Sequence, residues 1–100
     1  MLSNISNKDK KKFDIALINS RAVYWYMENI DGTYDSYMDR INNSLKWMKS
    51  KPSEKVAYNA MKFVKDFIIK HKITDEFLRE YCCDLEHNNP RARWNKQLRK

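Results

Sequence analysis

Residues that interrupt regular backbone structure are almost missing from this chain, which has one glycine, Gly32, and two prolines, Pro52 and Pro90, in 100 residues. A sheet protein reverses direction every few residues, and its reversals draw heavily on glycine and proline. A chain with three such residues runs in long uninterrupted segments, and its many Lys, Met, Leu, Ala and Glu residues favour helix. The expected fold is all-α: a compact bundle of four helices plus a short C-terminal fifth helix. Its length fits one domain, residues 1–100, with 1–6 as an N-terminal tail and 90–100 as a basic C-terminal segment.

Local signals divide the chain. Ser6, with Asp9 three residues on, predicts a cap for helix 1 over about 7–29. Asp31 and Gly32 predict a turn, with Thr33 or Asp31 capping helix 2 over about 33–50. Lys51 precedes Pro52 and is therefore steered away from the α region. Ser53 is the expected cap of helix 3, reaching about 72. Thr74 is the expected cap of helix 4, which carries the acids Asp75 and Glu76 in its first turn and fades near His87. Asn89 and Pro90 predict the start of the fifth helix, with Trp94 and Leu98 packing one turn apart.

The apolar spacing assigns faces. Helix 2 places Tyr34, Tyr37, Met38, Ile41, Leu45 and Met48 on one side. Helix 3 has a wide apolar face that includes Val56, Met61, Phe63, Val64, Phe67 and Ile68. Its far side carries Lys55, Lys62, Lys65 and Lys70 around Tyr58 and Ile69. Helix 4 groups Phe77, Leu78, Tyr81 and Leu85. Helix 1 is apolar nearly all round: Phe13, Ala16, Leu17, Val23, Tyr24, Met27 and Ile30 on one face, and Ile15, Ile18, Ala22, Trp25 and Tyr26 on a second. A helix of that kind needs burial on both sides, and the second face predicts self-association, at least to a dimer.

Several function classes are disfavoured by what the chain contains. No apolar run approaches the ~20 residues that span a bilayer, and residues 1–12 are polar and lysine-rich, unlike a secretion signal. Cys82 and Cys83 are adjacent, a spacing that strains a disulfide, so free thiols in a reducing cytoplasm are expected. Residue usage rich in Asn, Lys, Ile and Tyr is the bias an AT-rich genome produces, as in many phages and low-GC bacteria. The net charge of +7 is segregated: +3 over 8–12, +3 over 53–72, −4 over 75–86 and +5 over 91–100.

Two constellations raise the question of catalysis or metal binding. Glu76, Glu80, Cys83 and His87 share one side of helix 4, but one Cys and one His fall short of a zinc-ligand pattern, and an exposed acidic face is the plainer reading. His71 on helix 3 and Cys82 on helix 4 are a conceivable dyad, yet no glycine-rich loop is present to build an oxyanion hole or cradle a phosphate. The expectation is therefore a non-enzymatic protein with no cofactor, no metal and no small-molecule substrate.

Two binding readings remain. Ile15, Ile18, Trp25 and Tyr26 on helix 1, with Arg40 and Trp47 off the core face of helix 2, are residue types enriched at protein interfaces. They predict a small helical interaction protein acting stoichiometrically on a protein partner or on itself, such as an accessory or inhibitor protein of a phage or other mobile element. The alternative is nucleic-acid binding by Lys55, Lys62, Lys65 and Lys70 together with Arg91, Arg93, Trp94, Lys96 and Arg99, since cations interleaved with an aromatic suit phosphate contact and base stacking.

Overall fold

The protein is described by a computed structural model that covers residues 5–28 and 36–88. All regular elements among the described residues are helical. They are α1 (Asn7–Asn19), a 3-10 segment (Ala22–Glu28), α2 (Tyr37–Met48), a 3-10 turn (Pro52–Glu54), α3 (Lys55–His71) and α4 (Asp75–Asn88). The predicted turn at Asp31 and Gly32, the caps at Asp31 and Thr33, and the fifth helix with Trp94 and Leu98 lie outside the described residues.

Three helix starts share one chemistry. The Ser6 hydroxyl accepts from the Asp9 amide at 3.2 Å, the Ser36 hydroxyl from the Asp39 amide at 3.1 Å, and the Thr74 hydroxyl from the Phe77 amide at 3.2 Å. Each bond satisfies an N-terminal amide that has no partner within its helix. The cap of α2 is thus Ser36, not a residue at 31–33, and it repeats the three-residue spacing to an aspartate that marks Ser6. Ser53 does not cap α3. Pro52 opens a 3-10 turn in which the Glu54 amide donates to the Lys51 carbonyl at 3.0 Å, and Ser53 lies inside that turn. The fixed φ of proline favours a turn starting there.

The largest departure from expectation is in helix 1, which does not run to 29. It stops at Asn19, Arg21 takes a left-handed φ of 66°, and the chain resumes as the 3-10 segment. Ser20 explains the stop. Its hydroxyl donates to the Leu17 carbonyl at 3.2 Å and accepts from the Ala22 amide at 3.3 Å, so it bonds backbone groups on both sides of the break. The Arg21 amide closes on the Ile18 carbonyl at 3.0 Å. Side-chain bonds of this kind compete with helix continuation.

α3 forms the centre of the packing, in contact with both α1 and α2, while the 3-10 segment lies on α4. Phe13 of α1 stacks on Phe67 of α3 with ring centres 4.1 Å apart and planes 10° from parallel, and Tyr81 of α4 joins at 5.8 Å from Phe13. Leu17, Tyr37, Ile41, Met61, Val64, Leu78 and Cys82 complete the buried centre. At ~1.5–3 kcal/mol for each large apolar side chain removed from water, this cluster is the main favourable term in folding. α3 ends with Lys72 in the left-handed region: the Ile73 amide reaches the Ile68 carbonyl at 3.1 Å and the Lys72 amide the Ile69 carbonyl at 3.4 Å, while Ile68 and Ile73 are both buried. That is a Schellman closure with its accompanying apolar contact.

Candidate functional site

α1 and α3 run antiparallel, because Asp9 and Lys12 line one hollow with Lys70 and His71 while Ile15 and Asn19 line another with Val56 and Asn59. The stacked Phe13 and Phe67 close the seam beneath. Towards the start of α3 the facing residues shrink to Ala16 and Ala60, and the seam opens into a groove of about 440 Å³. Three large apolar side chains rise from it into solvent: Ile15 is 54% exposed, Val56 71% and Phe63 37%. Lys12 and Phe63 also border the second hollow, about 280 Å³, where Asp9, Asp66, Lys70 and His71 add charge. The two hollows make one trough, apolar at the α3 start and polar at the α3 end.

The break in helix 1 leaves one end of this groove open. With α1 ending at Asn19, no further turn of α1 covers the first turns of α3. Val56, assigned by spacing to the core face of helix 3, faces the end of α1 and is exposed, while Phe63, assigned to the same face, stands partly exposed beside Lys12, where the two hollows meet.

The other predicted interface residues scatter. Ile15 stands on the groove, and Ile18 is half-buried against the core. Trp25 is only 8% exposed and packs on Tyr37 with ring centres 5.9 Å apart, so it belongs to the core and not to an offered surface. The half-buried Tyr26 donates its hydroxyl to the Glu86 carboxylate of α4, a residue 2% exposed. Glu86, one of the acids over 75–86, therefore has a partner within the fold. The Arg40 guanidinium lies 4.5 Å from the centre of the Trp25 ring, whereas Trp47, 60% exposed, has the Lys51 ammonium 4.7 Å from its ring centre. Arg40 and Trp47 thus contact different neighbours. Of the lysines on α3, Lys55, Lys62 and Lys70 are exposed and Lys65 is half-buried, while Arg91, Arg93, Trp94, Lys96 and Arg99 lie outside the described residues.

The titratable groups of the interior are held by burial and packing. Cys82 is fully buried, and burial pushes its thiol from the usual 9.0 up to about 12, against a smaller opposing pull from Tyr37. A thiol held protonated at neutral pH is a poor nucleophile. His71 is packed on Phe67 at 4.4 Å between ring centres. The Tyr81 hydroxyl donates to Asp14, whose carboxyl burial holds above its ordinary range, with Tyr81 and Lys10 opposing the rise. The His87 ring nitrogen Nδ1 sits 2.7 Å from the Cys83 carbonyl oxygen and 3.7 Å from the Cys83 sulfur, and among the described residues no group of three or more His, Cys, Asp or Glu is arranged to hold a metal ion.

Fold and surface together define an all-α bundle with an apolar groove between two helices. No helix among the described residues is long and apolar enough to cross a membrane. Comparison with protein-family models, with curated proteins and with solved structures finds no match to this chain.

Proposed function

We propose that this protein acts stoichiometrically, without catalysis, by docking an amphipathic helix of a partner protein in the groove between α1 and α3. The observation that carries the reading is the clustering of Ile15, Val56 and Phe63, three large apolar side chains exposed around one shallow, open groove. Their exposed area is on the order of a few hundred Å², well short of the roughly 800 Å² per partner in a standard globule-on-globule interface. A single helix laid in a groove needs less, and its anchors at i, i+3/i+4 and i+7 match a trough of this kind. The polar end, with Asp9, Asp66 and Lys70, suits a partner helix that is charged beyond its apolar anchors. A role as accessory or inhibitor protein of a phage or other mobile element is part of the same proposal and rests on residue usage.

The test is a photo-crosslinker in place of Val56 in the full chain, activated in the native host after nuclease treatment. The expected result is an adduct with an amphipathic helical segment of one other protein, lost when Ile15→Lys is added. Ile15→Lys itself should leave the melting temperature nearly unchanged, since exposed substitutions fall within about 0.5 kcal/mol. An adduct between two copies of this chain, or no adduct, overturns the reading.

A further inference from the structure

A second surface, independent of the groove, lies at the corner where α2 meets α3. Residues 46–62 hold five lysines, Lys46, Lys49, Lys51, Lys55 and Lys62, against one acid, Glu54. The fold gathers most of this charge. Lys49, Lys51 and Lys55 line one hollow of about 330 Å³ with Pro52 and Tyr58. The corner also has aromatic faces in register with the cations. The Lys51 ammonium lies 4.7 Å from the centre of the exposed Trp47 ring, and the Lys62 ammonium 6.0 Å from that of Tyr58. The first acid of α4 is remote from it: the Asp75 carboxylate accepts from the Tyr37 amide at the opposite end of α2, about 18 Å away at 1.5 Å per residue.

We infer that this corner binds single-stranded nucleic acid. Lysines spaced around a concavity contact successive phosphates, and aromatic faces between them receive unstacked bases. The aromatic faces favour a single strand over a duplex, whose bases are already stacked. Lys51 over Trp47 already occupies the position a base would take, so binding exchanges a cation–aromatic contact for a base stack and frees the ammonium for phosphate.

The experiment titrates the full chain with a fluorescein-labelled oligothymidylate of fifteen nucleotides at several salt concentrations, alongside the duplex of the same length, a polyglutamate peptide and phosphatidylserine vesicles. The expected outcome is binding to the single strand in preference to the other three. The triple change Lys49→Gln, Lys51→Gln and Lys55→Gln should reduce the slope of log affinity against log salt by about 2, at ~0.7 for each phosphate no longer neutralised. Trp47→Ala should weaken binding about tenfold with a smaller change in slope, as loss of one stacked base requires. All these side chains are partly or fully exposed, so unchanged circular dichroism and melting temperature show that each variant is folded. The inference is overturned if these variants bind as the parent does while Arg91→Gln, Arg93→Gln, Lys96→Gln and Arg99→Gln together abolish binding, or if vesicles, polyglutamate or duplex bind more tightly than the single strand.

Discussion

Removing one hydroxyl should loosen the 3-10 segment from α4. Tyr26 donates to Glu86, and Glu86 is 2% exposed, so its carboxylate has almost no access to water that would replace the missing donor. Tyr26→Phe keeps the ring, and with it the apolar packing. The cost is that of leaving a buried acceptor short of a partner, about 1–3 kcal/mol. Against a total stability of roughly 5–15 kcal/mol for a domain of this size, that is a large fraction. At ~4–8 °C per kcal/mol, a 2 kcal/mol loss lowers the melting temperature by about 8–16 °C. Urea unfolding followed by far-UV circular dichroism gives the free energy, and a double-mutant cycle isolates the pair. Glu86→Leu removes the carboxylate, and the double variant should lose less than the sum of the singles, with a coupling of about 1–2 kcal/mol. A coupling below about 0.5 kcal/mol, or a Tyr26→Phe variant as stable as the parent, would refute the claim that this bond fastens the segment to α4.

Three further outcomes follow from backbone and thiol chemistry. Lys72 holds a left-handed conformation that suits glycine, so Lys72→Gly should raise stability by about 0.5–1 kcal/mol in chemical denaturation, whereas loss of stability would mean the lysine side chain contributes more than its strained backbone costs. Cys82 is buried and Cys83 half-buried, so a thiol reagent at pH 8 should modify one cysteine promptly and the second only as the protein unfolds. Because folding raises the Cys82 pKa from 9.0 to about 12, its contribution is intact below pH 9 and is lost as pH climbs towards 12. Cys82→Ala should therefore flatten the alkaline decline seen in melting temperatures over that window, and an unchanged decline would assign it to other groups.

How much of this was legible in the sequence follows from the range of each signal. Scarce glycine and proline, the apolar periods of α2 and α4, and the caps at Ser6 and Thr74 are local properties, readable within one or two turns, and they fix the helical class and most element ends. Tyr37, Ile41, Met48 and Leu78 are buried where their spacing puts them. The corner lysines were also in plain view, four of them within residues 46–55 around Trp47, but spacing alone does not say that Tyr58 and Lys62 come round to join them. The break after Asn19 is different in kind. A serine and an arginine inside an apolar run read as helix interior, and Ser20 stops α1 only because the chain beyond it gains more by lying on α4, where Val23 and Trp25 are buried and Tyr26 meets Glu86 sixty residues away. That gain depends on contacts between segments far apart in sequence. The same break leaves Val56 at an open end of the α1–α3 seam, so the tertiary structure decided which apolar residues form the core and which form the groove.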